Sequence, residues 1–193
     1  MERAGYWALC DDILAFGACL SGTQPGPRRA LPSLNMCISR RALDVCGGFD
    51  EFFQRPAGED TDLCLRLRRA GYTLYCEPSA AVYHRHNRRT MWRMLVHLYY
   101  FGAAHALLRA RYPDMLRPGV VGRAAVRLPL LVGLAAPLLA MFDIGWGMLR
   151  GTLPRRYWFA VPGLVLAKSA WYVGLATMMR TNAHHDQRIR MAS

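Results

Sequence analysis

The sequence predicts an α/β domain followed by α-helical membrane segments, and three observations carry that prediction. First, charge divides along the 193 residues. Residues 1–77 hold nine Arg against ten Asp and Glu, a net of −1, while residues 78–193 hold fifteen Arg and one Lys against three acids, a net of +13. Second, the basic part also holds the long apolar runs, 128–149 and 157–179. Third, between residues 58 and 83 the apolar period changes from helical to extended. With 53% apolar and 20% charged residues, disorder is excluded as the general state. The formal charge of +12 would suggest nucleic acid, but its coincidence with the apolar runs points to a membrane surface instead, and no nucleic-acid partner is expected.

Residues 4–20 are moderately apolar and compatible with a helix ending at Ser21-Gly22, and Gln24 to Arg29, with Pro25, Gly26 and Pro27, reads as a loop. Leu34 to Ser39 is a short apolar run, predicted as a buried strand. Arg40 to Cys46 reads as a short helix stopped by Gly47-Gly48, and Phe49 to Phe53 as a turn with aromatic anchors. Glu59-Asp60-Thr61-Asp62 is an acidic helix start, Leu63, Leu67 and Ala70 continue one face, and Gly71 supplies the stop. Tyr72 to Cys76 is a strand of β-formers. A second short strand is predicted over Ala80 to Tyr83, running into His84-Arg85-His86.

Met91 to Arg111 is helical and flanked by arginines; its uncharged stretch is short for a span, so it reads as an interfacial or packing helix. Residues 113–122 form a linker. The runs 128–149 and 157–179 carry one charge each, Asp143 and Lys168, and both are long enough to cross a hydrocarbon core of roughly 30 Å. Lys168 lies near the centre of its run, where insertion scales charge about 2.5–3.5 kcal/mol, and Asp143 is a candidate partner. Helices lying on the membrane are the alternative to two spans. Eight arginines flank the pair of runs and three lie in the loop between them, which places residues 1–90 on the cytosolic side. The six cysteines form no C-x-x-C pair and no zinc spacing, as expected of reduced, mostly buried thiols. The first twenty residues show no secretory signal.

The chemistry-bearing residues concentrate between Asn35 and His86. Asp60 sits where the amides and dipole of a helix N-terminus favour a charged carboxylate, suited to a general base. On spacing alone, however, Glu59, Asp60 and Asp62 read first as helix-capping acids. His84 and His86 share one extended face and could ligate a divalent cation. On spacing alone, however, they read first as part of a solvated basic patch with Arg85, Arg88 and Arg89, whose arginines could instead hold a phosphate or lipid head group.

The combined string is more specific. Asn35-x-x-x-x-Arg40, Gly47-Gly48-Phe49-Asp50-Glu51, Gly58-Glu59-Asp60-Thr61-Asp62-Leu63, Arg66-Leu67, Ala70-Gly71-Tyr72, Pro78 and His84-x-His86 follow in order. Over about residues 32–90 this resembles the C-terminal half of the catalytic domain of family-2 glycosyltransferases, inverting enzymes of GT-A fold. The resemblance implies a Rossmann-like nucleotide-sugar transferase domain, here partial, with Asp60 as the base that takes the acceptor's proton. It implies Mg²⁺ or Mn²⁺ on the donor diphosphate, reached by His84 or, in another register, His86. Asp50, Glu51 and Glu59 would lie on the acceptor side.

The family's nucleotide-binding half, with its Asp-x-Asp motif, would precede residue 30, and Asp11-Asp12 is a poor substitute because it follows no β-rich run. The chain is therefore expected to be a fragment, or to need a missing N-terminal half or partner subunit. No Gln-x-x-Arg-Trp motif follows the histidines, which favours transfer of one or a few sugars. The implied organisation is 1–90 as the C-terminal part of the transferase domain, 91–126 as juxtamembrane helix and linker, 127–180 as two transmembrane helices, and 181–193 as a basic tail. The implied function is transfer from a nucleotide-diphosphate sugar to a hydroxyl of a lipid-linked or cell-envelope glycan acceptor, on a multi-pass protein of the plasma or inner membrane. A catalytically inactive membrane scaffold that keeps part of the fold is the alternative.

Overall fold

Three glycines and one serine set the bounds of the helices that carry the chemistry. In the computed structural model, which describes residues 5–20, 23–53, 55, 57–82, 88–116, 120–151 and 153–192, helix α1 covers Tyr6–Phe16, strand β1 Gly26–Arg28, α2 Arg40–Cys46, α3 Glu59–Arg69 and strand β2 Leu74–Cys76. The Ser39 hydroxyl accepts the Ala42 amide at 3.2 Å and caps α2. Gly47, at φ 78°, ends α2 by donating to Leu43 O. Helix α3 starts after Gly58, whose φ of 96° few other residues would adopt. It ends in a Schellman motif, with Gly71 N–H to Arg68 O and Tyr72 N–H to Leu67 O, at 3.1 and 3.0 Å. Leu67 and Tyr72 then meet in a small core with Ala42, Leu63, Cys64 and Leu74.

Strands β1 and β2 and helices α2 and α3 belong to a compact unit formed by Phe16–His86. Its sheet differs from the one expected of an α/β domain. β1 and β2 pair antiparallel, Gly26 opposite Cys76, Pro27 opposite Tyr75 and Arg28 opposite Leu74, and among the described residues the sheet has these two strands. β1 forms inside the segment read as a loop, because Arg28 Nε donates to Ala18 O at 2.9 Å and holds the segment extended. Pro27, lacking an N–H, is tolerated in a strand with an open side. Leu34 to Ser39 is not a strand: after Pro32 the chain makes a 3₁₀ turn at Ser33–Asn35 and then runs extended without a ladder. Ala80 to Val82 likewise joins no ladder, and Tyr83 lies outside the described residues. With no strand–helix–strand crossover onto a shared sheet, the described residues lack the parallel pairing of a Rossmann-like layer.

The second unit joins Met1–Ala15 to Asn87–Ser193. It contains α1, α4 Met91–Arg111, α5 Val120–Arg127, α6 Pro129–Leu134, α7 Ala136–Leu149 and α8 Val161–Ala192. α4 packs on α8 through glycine: a Cβ on Gly102 would lie 1.9 Å from Trp171 O, and one on Gly174 1.9 Å from Tyr99 O. Gly163 similarly makes room for Tyr6 and Cys10 of α1, and the Gly163 amide donates to the Tyr6 hydroxyl at 2.9 Å. Alanines 106, 125, 136, 140 and 176 fill the core beside Val132, Tyr172 and Leu175.

The two-span expectation needs correction. The run 128–149 is not one helix, because Pro137 has no N–H for Gly133 O and its ring crowds that carbonyl; α6 stops at Leu134 and α7 restarts at Ala136. α7 has 14 residues, about 21 Å of helix. Among the described residues one helical stretch, Arg155–Thr181, is long and apolar enough to cross a membrane. The pairing expected for Lys168 is present, its Nζ lying 3.7 Å from Asp143 Oδ2.

Candidate active site

The first turn of α3 carries Glu59, Asp60 and Asp62, and their side chains have different surroundings. Asp62 is fully buried and binds Arg66 Nε at 2.8 Å, one turn along the helix. The Arg66 guanidinium then turns outward from α3: Nη1 donates to Cys46 O, and Nη2 to Gly48 O at 2.6 Å. One arginine thus fixes the Gly47-Gly48 turn against the helix that bears Asp60. A lysine has no planar fork to satisfy a carboxylate and two carbonyls together.

Asp60 is half-buried. Its Oδ1 accepts the Thr61 amide at 2.7 Å, with the Thr61 hydroxyl 3.4 Å away, and its Oδ2 accepts the Ser33 amide at 3.4 Å. Ser33 and Asn35 share one 3₁₀ turn, and Asn35 Nδ2 donates to Ala80 O at 2.6 Å. That turn therefore joins the Asp60 carboxylate to the segment leaving β2. Beyond β2, the Ser79 hydroxyl and amide both donate to Glu77 Oε1, at 2.7 and 3.1 Å, and lower the Glu77 pKa. Behind Asp60, the Cys64 thiol contacts the Leu31 backbone, and burial raises its pKa, as suits an inert packing thiol.

Of the acceptor-side candidates, Glu59 is half-buried beside Asp60. Asp50 accepts the Phe52 amide at 2.9 Å and shapes its own turn, Glu51 is exposed next to it, and Phe49 and Phe52 stand exposed on the same loop. His84 and His86 lie outside the described residues. Among the described residues no group of three or more His, Cys, Asp and Glu side chains could hold a metal ion, so these residues do not by themselves fit the expected cation. Asp11 offers no substitute. It is buried in the helical unit, with Arg88 Nε 2.6 Å from Oδ2 and His97 Nδ1 2.7 Å from Oδ1. Arg88, read as part of a basic patch, is thereby paired to a carboxylate.

A model of Glycosyl transferase family group 2 matches residues 8–179. The chain belongs to that family. The chain is similar to the pre-mycofactocin glycosyltransferases of Mycobacterium tuberculosis strains CDC 1551 / Oshkosh and ATCC 25618 / H37Rv. It is 34% identical to each over 122 residues, which are 63% of this chain and 25% of the relative. The match spans about a quarter of the length of these curated relatives. No solved structure matches it.

Ser33 was not foreseen as a site residue; its only sequence signal is its place after Pro32, which ends regular pairing and frees its amide. Arg66 is visible as a motif residue, but its role as a clamp depends on carbonyls 18 and 20 residues earlier.

Proposed function

We propose that this family-2 glycosyltransferase carries the acceptor side of an inverting sugar transfer, with Asp60 as the general base. The acceptor hydroxyl gives its proton to the Asp60 carboxylate as its oxygen bonds to the anomeric carbon of a nucleotide-diphosphate sugar. The bond from that carbon to the diphosphate breaks on the opposite face, and the nucleoside diphosphate leaves with the electron pair. The observation that carries this reading is the state of Asp60. Backbone amides anchor each carboxylate oxygen, Arg66 fixes the neighbouring loop, and Oδ2 keeps a lone pair to receive a proton.

The partial GT-A architecture, the Mg²⁺ or Mn²⁺ cofactor and the role of His84 belong to the same reading, which the motif order supports. Association with a membrane is supported by the apolar helical unit, with one helix of sufficient length among the described residues, and goes with a lipid-linked or cell-envelope acceptor met on the cytosolic side. The nucleotide-binding half is supplied by sequence or a partner beyond these residues.

The test is nucleoside-diphosphate release by the longest native form, in its membrane, from a panel of UDP- and GDP-sugars. Asp60→Asn should lower turnover about 10²- to 10⁴-fold with little change in donor KM. His84→Ala should act mainly on the Mn²⁺ concentration dependence. Retention of more than a tenth of turnover by Asp60→Asn would remove Asp60 as the base, and a product of retained anomeric configuration would remove the in-line displacement.

A further inference from the structure

Asp60 is held unevenly. Its Oδ1 takes the amide of its own neighbour, Thr61, at 2.7 Å, whereas Oδ2 has the Ser33 amide at the longer distance of 3.4 Å. The torsion that swings an aspartate carboxylate is broad, so the direction of Oδ2 has to be set from outside the side chain. That outside partner is the 3₁₀ turn Ser33–Asn35. The turn is stiff where it begins, because the ring of Pro32 fixes φ, here at −70°. Where it ends, Met36 is already extended, at φ −115° and ψ 130°, so no longer helix carries the turn.

Its tertiary tie is the Asn35 side chain, whose Nδ2 donates to Ala80 O at 2.6 Å. The receiving carbonyl sits on a firm base. The Ala80 amide donates to Glu77 O at 3.1 Å across Pro78, Ser79 donates twice to Glu77 Oε1, and Cys76 is paired with Gly26 in the sheet. Asn35 thereby closes a ring. One arm runs from Asp60 along α3, round Gly71 and through β2 to Ala80. The other returns from Ala80 through Asn35 to Ser33 and Asp60. Ser33, Asn35 and Ala80 are all exposed, so the Asn35 bond adds little to stability, and its main consequence is direction.

We propose that Asn35 is a positioning residue for sugar transfer, latching the Ser33–Asn35 turn to Ala80 so that Asp60 Oδ2 points at the acceptor oxygen. The proposal rests on the reading of Asp60 as the base. In-line displacement needs the acceptor oxygen and the departing diphosphate on opposite faces of one carbon. Asp60 serves the first, and the same reading puts His84, four residues after Ala80, with the second. One side-chain bond thus ties the base to the segment that leads to the donor side. An aspartate in this place would set an oxygen against the Ala80 oxygen, and a glutamine would be one methylene too long.

The test uses the longest native form in its membrane and nucleoside-diphosphate release from the panel of UDP- and GDP-sugars. Asn35→Asp should lower turnover about tenfold to a hundredfold, the scale of a misplaced reacting group, with donor KM unchanged within about twofold. Asn35→His, whose Nδ1–H can replace the amide donor, should recover most of the loss. In an Asp60→Asn background Asn35→Asp should cost less than about twofold more, because the latch acts only through that carboxylate. A residue needed only for folding would multiply the two losses. Without turnover, hydrogen–deuterium exchange of the 193-residue chain in detergent should rise at 31–36 and 78–82 in Asn35→Asp and stay unchanged in α2. Should Asn35→Asp loosen the whole unit instead, Asn35→Gln carries the same kinetic comparison. Full turnover in the folded variant, multiplied losses, or a raised donor KM with turnover kept would overturn the latch and leave Asp60 as the base. Failure of the base itself shows separately, as turnover retained by Asp60→Asn alone, and removes the latch with it.

Discussion

The two units of this chain cohere by different means. In Phe16–His86, polar side chains grip the backbone: Arg66 holds the carbonyls of Cys46 and Gly48, and Asn35 holds that of Ala80. The Asp60 carboxylate holds the Ser33 amide, and the core beneath these bonds is small. In the helical unit, α4 and α8 approach because Gly102 and Gly174 have no side chain, and alanines fill much of the space around them. The first arrangement fixes positions by bond direction, the second by the absence of atoms. A site that must hold a carboxylate in one orientation is built from the first kind. A scaffold that presents apolar surface is built from the second.

Breaking the polar clamp should have the largest effect on stability. Arg66→Met leaves Asp62 buried without its guanidinium and releases two carbonyls, a loss of about 3–5 kcal/mol. Chemical denaturation of the full chain checks it, with Arg66→Lys recovering only part, because an ammonium lacks the planar fork. A loss below about 1 kcal/mol would show that the small core alone holds the unit.

The matching blow to the helical unit is Gly102→Ala. A Cβ 1.9 Å from Trp171 O forces α4 and α8 apart, at a cost of about 1–3 kcal/mol. Gly145→Ala in α7 is the internal control: its Cβ would meet nothing within 4 Å, so helix propensity should make it stabilising by up to about 1 kcal/mol. Thermal unfolding followed by helical circular dichroism should move in opposite directions for the two. A shared direction would mean that the glycine contact does not set the helix packing.

The smallest effect at neutral pH is a slope that develops only as the pH falls. Burial holds His105 of α4 near 4 in the folded chain against about 6.5 when unfolded. Below 6.5 the unfolded chain therefore binds a proton that the folded chain refuses. The stability is fully present above pH 6.5 and is lost as pH falls towards 4, by at most about 1.4 kcal/mol per unit. His105→Gln should flatten that part of the profile, and an unchanged slope would assign it to other groups.

Local signals were legible where they act over a few residues. The bounds of α2, α3 and α4 follow from Gly47, the acidic turn at Glu59, Gly71 and the arginine flanks, as read from the sequence, whereas Ser39, read as the end of a strand, caps α2. The strand predicted at Leu34 to Ser39 failed because an apolar run becomes a strand only when a neighbour offers a ladder, and none does there among the described residues. The short strand at Gly26–Arg28 was hidden by Pro25 and Pro27, which mark turns in most contexts, but Pro27 here sits opposite Tyr75 of β2. The run 128–149 was counted by hydropathy, which is blind to the missing amide of Pro137. The partnership of Asp143 with Lys168 was foreseen because two charges in otherwise apolar helices seek each other; the packing of His105 on Trp171 was not, because nothing in sequence spacing relates α4 to α8.

By itself the sequence determined the family motifs, the helix starts and stops around Asp60, and the separation of a near-neutral region from a basic, apolar one. Those properties depend on residue type and on neighbours within one or two turns. Tertiary structure alone decided that Arg66 joins α3 to the Gly47-Gly48 turn, that Ser33 meets Asp60, and that α1 packs with Ala160 and Gly163 near the other end of the chain. Each of these is a contact across 18 to 157 residues. Its partner is fixed by where backbone polar groups are left to be satisfied and where a glycine leaves space, and both are known only once the chain has folded.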